Sequence, residues 1–174
     1  SEMCIRDSSP AAVVVFVVNS SEELLFGFHN RRKRWELVSG ALEAEETLLE
    51  GALRELTEEM GPEIRARPLS VIHANTFRYD DNAQYMISIC YLMAYEGGTI
   101  LPGDDMGTDD RGNTSPTGES YRWIGLEDLL TDRVQVGIPR EKWLLERAVE
   151  MFRLLKDRQD CLLYTSPSPR DIGE

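Results

Sequence analysis

Cysteine, basic residues and long apolar segments are all scarce in this 174-residue sequence. The three cysteines are widely separated, so they form neither a disulfide framework nor the close spacing of a zinc site. The longest apolar run, Ala11–Val18, has eight residues, whereas a membrane-spanning helix needs about 20. We therefore expect a cytoplasmic protein, in a reducing compartment, that does not have a membrane as its partner.

Basic residues are outnumbered, with 19 Lys and Arg against 31 Asp and Glu and a formal net charge of -12. This balance argues against a nucleic-acid polymer or an anionic membrane as the main partner, because both are polyanions. If the substrate is a phosphate compound, a metal cation must mediate its binding, since carboxylates alone would repel it. A composition of 41% hydrophobic and 29% charged residues is typical of a globular domain.

The two ends of the chain differ from its middle. Residues 1–10 show no hydrophobic periodicity, and residues 159–174 include a Ser/Pro-rich segment after a helical pattern stops. Both ends resemble translated adapter sequence, and we expect them to be tails outside the domain. One domain is predicted to span residues 11–158.

Hydrophobic patterning predicts a mixed α/β domain. Apolar or alternating segments predict strands over residues 11–19, 24–29, 35–38, 69–78, 84–95 and 121–124. Helical periodicity predicts helices over residues 48–60, 126–130 and 139–157. The core stripe predicted for the last helix comprises Trp143, Leu144, Ala148, Met151 and Leu155. Strands with helices between and after them favour a layered architecture.

The helix predicted over residues 48–60 has boundary signals at both ends. Thr47 with Glu50 fits a capping box, which satisfies N–H groups of the first helical turn. Gly61 followed by Pro62 predicts the end of the helix. The residues predicted to face the core at helical spacing are Leu49, Ala52, Leu53, Leu56 and Met60.

The other face of this helix is acidic. Glu55, Glu58 and Glu59 fit within an arc of about 100°, where like charges cost a few tenths of a kcal/mol per pair. They lie near the C-terminal end, where the helix dipole disfavours anions by roughly 0.3–1 kcal/mol each. A solvated acidic surface is one interpretation. The other is a site for a divalent cation, and oxygen ligands alone select Mg²⁺ or Mn²⁺.

From Gly40 the chain reads GALEAEETLLEGALRELTEEMGP. This segment resembles the Nudix box, G-x5-E-x7-R-E-U-x-E-E-x-G-U, in which U is a bulky aliphatic residue. The one departure is Pro62 at the final U, which affects stability more than chemistry. The residues that match the pattern are Gly40, Glu46, Arg54, Glu55, Leu56, Glu58, Glu59 and Gly61.

The resemblance implies an α/β/α sandwich with a central mixed β-sheet. It also implies Mg²⁺-dependent hydrolysis, with Mn²⁺ as the alternative metal, of a nucleoside diphosphate linked to another group X. The metal ligands that it implies are the Gly40 carbonyl, Glu55, Glu58 and Glu59. Glu46 is expected to pair with Arg54, and Arg54 to orient the glutamates. The catalytic set is therefore predicted as Glu46, Arg54, Glu55 and Glu58, with the identity of the general base left open.

Three residues outside the box are predicted to contact the substrate. Residues 31–34 are four successive cations, and arginine suits bidentate phosphate contacts. We predict that Arg32 contacts a substrate phosphate. The alternative is that this run is a solvated hairpin turn. Glu36 belongs to the segment WELVSG, which is similar to the family's W-E-L-P-A-G. Glu119 lies just before the strand predicted at residues 121–124, where relatives often carry a functional acid; loop solvation is the alternative.

The WELVSG segment favours an ADP-sugar-like substrate, which would be cleaved to a nucleoside monophosphate and phosphorylated X. One alternative is a nucleoside triphosphate pyrophosphatase of the sanitising type. Another is a catalytically silent Nudix-fold nucleotide-binding module, although such modules usually lose box glutamates and none is lost here. The expected partner is a small-molecule nucleotide, and the expected state is a monomer or a homodimer.

Overall fold

The computed structural model of this chain describes residues 11–78, 85–102, 115–137 and 141–158. Several predicted features lie outside these residues: both tails, the turn between the fifth and sixth strands, most of the loop that follows, and the start of the last helix at Pro139. Among the described residues, none of the helices has both the length and the apolar character needed to span a bilayer.

Seven strands and three helices occur in the described ranges. The strands are β1 (Ala11–Val18), β2 (Glu23–His29), β3 (Arg34–Glu36), β4 (Val38–Ala41), β5 (Arg65–Arg78), β6 (Tyr85–Gly97) and β7 (Tyr121–Gly125). The helices are α1 (Leu48–Met60), α2 (Leu126–Leu130) and α3 (Lys142–Leu155). Strands β5 and β6 extend beyond the predicted bounds because they pair from Arg65 with Gly97 to Arg78 with Tyr85.

The strands form one mixed sheet, as expected. Its described order is β3-β2-β1-β6-β5, with β4 also paired to β1 and β7 to β2. Strands β1 and β6 are parallel, whereas β1–β4, β2–β7 and β5–β6 are antiparallel. A parallel pair requires a crossover connection, and α1 lies on the chain between these two strands.

Side chains of β1 alternate between two hydrophobic cores, one on each face of the sheet. Val13, Val15 and Val17 pack in the core under α1. Phe16 and Val18 pack in the core under α3. The predicted α/β/α sandwich is therefore confirmed.

Helix α1 begins and ends where the sequence predicts. The Glu50 N–H donates to Thr47 Oγ1 at 3.2 Å, and the Thr47 N–H donates to Glu50 Oε2 at 2.8 Å, so the capping box is present. The helix ends at Gly61, whose φ of 99° is one that glycine adopts without the cost of a Cβ.

The buried face of α1 differs from the predicted stripe. Leu53 was predicted to face the core, but it is 38% exposed. Glu55 and Glu59 were predicted to lie on the other face, but they are 9% and 2% exposed. The stripe is rotated because α1 packs against β4, and the two glutamates lie under Ser39 and Gly40 of that strand.

The prediction of one strand over residues 35–38 was wrong. Strand β3 ends at Glu36 and pairs with β2, whereas β4 begins at Val38 and pairs with β1. The chain changes its pairing partner at Leu37. Apolar alternation alone does not reveal a change of partner, because it indicates which residues are buried and not which strand they pair with.

Helix α3 is shorter than predicted, and only part of its predicted core stripe, Leu144 and Ala148, is buried. Trp143 was predicted to lie in the core, but it is 45% exposed and packs edge-to-face on His73 with ring centroids 4.9 Å apart. Met151 and Leu155 are only partly buried against the core. The buried residues are Leu144, Leu145, Ala148, Val149 and Phe152.

Arg67 stabilises the C-terminal end of α3, where carbonyl groups lack helical partners. Its guanidinium donates to the carbonyls of Lys156 at 2.7 Å and Arg158 at 2.9 Å, and to Glu96 at 2.7 Å. We expect Arg67→Ala to lower the free energy of unfolding by about 1 kcal/mol, since the group is partly exposed. Urea denaturation checks this. The control is Arg65→Ala, which removes a single hydrogen bond of 3.3 Å to the Glu96 carbonyl. If this control lowers the free energy of unfolding as much as Arg67→Ala does, the expectation is contradicted.

Candidate functional site

A cavity of about 800 Å³ opens on one side of the sheet. Its walls come from β4 and the acidic face of α1, from the turn between β2 and β3, from β5 and β6, and from the residues at the start of α3. A cavity of this size accommodates a nucleotide-sized ligand. All four predicted metal ligands, together with Arg54, Arg32 and Glu36, line this one cavity.

Gly40 lies directly against the carboxylate of Glu55. A Cβ atom at position 40 would lie 2.0 Å from Oε1 and 2.5 Å from Oε2 of Glu55. Any side chain at this position would therefore displace that carboxylate. Glu59 reaches the same strand, since its Oε2 accepts a hydrogen bond from the Ser39 N–H at 3.3 Å. The structure thus brings Gly40, Glu55 and Glu59 together.

Arg54 links the glutamates of this wall into one network. Its Nε and Nη2 both donate to Glu46, as expected for this pair, and its Nη1 donates to Glu55 at 2.9 Å and to Glu58 at 3.0 Å. Nη2 also donates to the Ala41 carbonyl at 3.0 Å. A planar guanidinium with five donors can make this set of bonds, whereas an ammonium cannot.

Hydrogen bonding between these groups shifts their pKa values. The hydrogen bond from Arg54 lowers the pKa of the Glu46 carboxyl, against a smaller opposing effect of burial. The hydrogen bond to Glu46 raises the pKa of Arg54, and Glu55 raises it further. Both groups therefore remain charged near neutral pH. Arg54 fixes the acidic groups in position without neutralising all of them.

The glutamates differ in their access to solvent. The Glu58 side chain is 37% exposed, whereas that of Glu55 is 12% exposed and Glu59 is 2% exposed as a residue. Within the described residues, no group of three or more His, Cys, Asp or Glu is arranged as a metal site. Nη1 of Arg54 bonds one carboxylate oxygen of Glu55 and one of Glu58.

The cationic turn between β2 and β3 forms another part of the wall. Arg31, Arg32 and Arg34 line the cavity, whereas Lys33 is exposed and donates to Asn30 at 2.9 Å. Glu36 is buried between arginines. It accepts hydrogen bonds from Arg32 at 3.0 Å and from Arg34 at 2.9 Å.

Glu119 lies apart from the cavity that the other predicted substrate-binding residues line. It is not among the residues that line the cavity in the described part of the chain. Its carboxylate accepts hydrogen bonds from Arg122, and these lower the pKa of its carboxyl group. The structure therefore does not bring Glu119 together with the other predicted site residues, and its contact with substrate stays a prediction.

Sequence reasoning missed several residues of the cavity wall. These come from β5, β6 and the start of α3, and they are Asn75, Arg78, Met86, Ser88, Cys90 and Glu141. None belongs to a motif, and only the pairing of β5 with β6 and the packing of α3 place them near the box. Arg34 belongs to the four successive cations at residues 31–34, but the sequence does not indicate that it pairs with Glu36.

The thiol of Cys90 gives a pH-dependent test of the cavity. Burial raises the pKa of this thiol to about 11, so the reactive thiolate is rare at pH 8 and increases as the pH rises towards that value. In a variant carrying Cys4→Ser and Cys161→Ser, we expect iodoacetamide to label Cys90 about 100-fold more slowly at pH 8 than a free cysteine. Mass spectrometry at pH 8, 9 and 10 measures the rate, with Cys90→Ser as a blank. Fast labelling at pH 8 would contradict this environment.

The family model described as NUDIX domain matches residues 8–144. No protein with a curated description matches the sequence significantly. Three solved structures illustrate the fold. A hydrolase of the NUDIX family from Clostridium perfringens is 19% identical, with a TM-score of 0.60, over 83% of this chain and 96% of that chain.

The other two structures have different substrates in their names. An ADP-ribose pyrophosphatase from Streptococcus suis is 15% identical, with a TM-score of 0.59, over 83% of this chain and 93% of that chain. The dihydroneopterin triphosphate pyrophosphohydrolase of E. coli is 14% identical, with a TM-score of 0.52, over 84% of this chain and 97% of that chain. At these identities the likeness shows the fold and not the substrate.

Proposed function

This chain belongs to the Nudix family of hydrolases, and from that premise we propose that it cleaves the pyrophosphate bond of a nucleoside diphosphate linked to a group X. The products would be a nucleoside monophosphate and phosphorylated X. One observation carries the proposal: the glutamates of α1 and the arginines of the β2–β3 turn line the same cavity. Acids that suit a metal and cations that suit phosphate are thereby available to one ligand.

The metal that we propose is Mg²⁺, with Mn²⁺ as the alternative, held by the Gly40 carbonyl, Glu55, Glu58 and Glu59. The donor set fits, because it consists of oxygen atoms alone. Its charge also fits, since Glu46, Glu55 and Glu58 share the single Arg54 guanidinium and negative charge is therefore in excess. When bound, such a cation neutralises negative charge on the diphosphate.

The chain's own residues would position and deprotonate the reactants. Arg54 and Glu46 hold the acidic side chains in place on a helix, which orients groups more exactly than a loop does. We propose Glu58 as the general base, because it is the most exposed of the three glutamates proposed as metal ligands and it lines the cavity. A carboxylate within hydrogen-bond reach of that water can take its proton.

An ADP-sugar-like substrate is our first candidate, on the resemblance of WELVSG to W-E-L-P-A-G. A nucleoside triphosphate is the second candidate, because the cavity wall carries Arg31, Arg32, Arg34 and Arg78, and additional phosphate charge would suit these cations. The two reactions differ in product. The first gives a nucleoside monophosphate and a sugar phosphate, whereas the second gives a nucleoside monophosphate and inorganic pyrophosphate.

A substrate panel tests the proposal. ADP-ribose, UDP-glucose and ATP are each incubated with the purified protein and Mg²⁺, Mn²⁺ or EDTA, and the products are separated by anion-exchange chromatography. We expect hydrolysis of at least one diphosphate-linked compound with a divalent metal and none in EDTA. Hydrolysis of ATP alone would favour the second candidate. Nucleotide binding without hydrolysis of any compound would contradict the enzyme and support a silent binding module.

Two further features remain proposals. We place the protein in the cytoplasm on its few, widely separated cysteines and on the small-molecule nucleotide chemistry of its family. We propose a monomer or a homodimer, which size-exclusion chromatography with light scattering would distinguish.

A further inference from the structure

A buried carboxylate supports the cationic wall of the cavity. The Glu36 side chain is only 4% exposed, yet it lies on a strand whose neighbours include the cationic turn. Nη1 of Arg32 lies 3.0 Å from both of its oxygens, and Nε of Arg34 lies 2.9 Å from Oε1. One carboxylate thus holds two guanidinium groups that both line the cavity.

The backbone encloses this cluster from another side. Val136 forms a parallel bridge with Trp35, and the Gly137 N–H donates to the Trp35 carbonyl at 2.7 Å. A Cβ atom at position 137 would lie 2.8 Å from Cγ of Glu36 and 2.9 Å from Nε of Arg34. Glycine at this position therefore lets the carboxylate and the guanidinium sit against the chain, which restricts their movement.

The cluster of Arg32, Arg34 and Glu36 carries a net positive charge. Its two guanidinium groups share one carboxylate, so one positive charge is in excess within the cluster. Arg32 uses one terminal nitrogen on Glu36, and Arg34 uses its Nε, so each keeps further N–H donors. Arginine forks match phosphate oxygens, and donors that are fixed before binding lose less conformational entropy on binding.

We propose that Arg32 and Arg34 form a phosphate-binding pair and that Glu36 is its positioning residue, which does not itself contact the substrate. This inference rests on the proposed function in naming a nucleotide phosphate as the ligand. It replaces the expectation that Glu36 binds substrate directly, and it adds Arg34 to the site. The role of Glu36 is to hold both guanidinium groups against the wall where a phosphate meets them.

The substitution Glu36→Gln distinguishes a role of Glu36 in positioning the two guanidinium groups from an effect of its negative charge alone. Removing a negative charge from the wall makes the cavity more positive, so electrostatics alone predicts tighter binding of an anion. Positioning predicts the opposite, because glutamine holds two guanidinium groups poorly. We expect the affinity for ADP, measured by titration calorimetry in EDTA, to fall about tenfold, the effect of one charge-assisted hydrogen bond. In turnover assays, KM should rise with kcat nearly unchanged.

Three further variants complete the test. Gly137→Ala alters no charge but pushes on Glu36 and Arg34, and we expect it to weaken ADP binding in the same direction. Arg34→Lys keeps the positive charge but loses the planar guanidinium, and we expect it to weaken ADP binding too. Lys33→Gln removes a cation from the same turn outside the cavity wall, so it should change the affinity less than twofold. Thermal denaturation identifies any variant that fails to fold.

Unchanged or tighter ADP binding by folded Glu36→Gln would overturn the proposal. If that variant does not fold, Arg34→Lys decides, and unchanged affinity there would overturn it equally. A wild-type protein that does not bind ADP also refutes it. Because these measurements need no turnover, a protein that hydrolyses none of the tested compounds but shows the expected order of affinities would refute the proposed function and leave this inference standing.

Discussion

Turnover of the Glu58→Gln variant is expected to fall by about 10²- to 10⁴-fold, the usual contribution of a general base. Glutamine keeps the size of the side chain but neither accepts the proton of a water nor carries charge towards a cation. Stability should change little, because Glu58 is 37% exposed and contacts Arg54 through one hydrogen bond. Steady-state kinetics with the best compound of the substrate panel measures kcat, and thermal denaturation measures folding.

The matched control for this variant is Glu146→Gln. Glu146 is also a helical glutamate, but it lies on the exposed face of α3 and does not line the cavity, so its kcat should equal that of the wild type. If Glu58→Gln retains kcat within about twofold of the wild type, a group other than Glu58 accepts the proton of the water. Glu55→Gln and Glu59→Gln would then be the next variants to test.

The Arg54→Lys variant is expected to lose both stability and activity. Lysine keeps the positive charge, but its single ammonium cannot bond Glu46, Glu55, Glu58 and the Ala41 carbonyl at once. We expect the free energy of unfolding to fall by about 2–3 kcal/mol, since partly buried charged groups lose partners. Because the glutamates are then no longer held in place, kcat/KM should fall about 100-fold.

Urea denaturation and steady-state kinetics measure these two effects. The control is Arg133→Lys, which affects an exposed arginine paired with Glu127 and Asp128 and should cost well under about 1 kcal/mol. An Arg54→Lys variant as stable and active as the wild type would show that one positive charge is enough. The bidentate and bridging geometry of the guanidinium would then have no role in the site.

Much of the fold could be predicted because its local signals agree with its tertiary structure. Thr47 and Glu50 form the predicted capping box, and Gly61 ends the helix with a positive φ. The helix, and with it the spacing of the box residues, follows from these signals. The alternation of residues in β1 likewise predicts a strand, and its two apolar faces match the two cores.

Features that depend on contacts between distant segments could not be predicted. Helical periodicity placed Leu53 inside and Glu59 outside, because hydrophobicity was the only available guide to burial. The structure reverses them, since Glu59 meets the backbone of Ser39 twenty residues earlier in the chain. Similarly, Ser88 and Glu141 join the cavity wall only through the packing of β6 and α3, and neither carries a local signal.

Leu37, the single residue between β3 and β4, connects the two charged parts of the cavity wall. It is 1% exposed and lies in the core under α3, whereas its neighbour Val38 is fully buried in the core under α1. Glu36 and Gly40 are therefore spaced by two apolar side chains inserted into opposite layers. Neither Leu37 nor Val38 lines the cavity, yet a substitution that changes the volume of either side chain should shift the guanidinium groups held by Glu36 relative to Gly40.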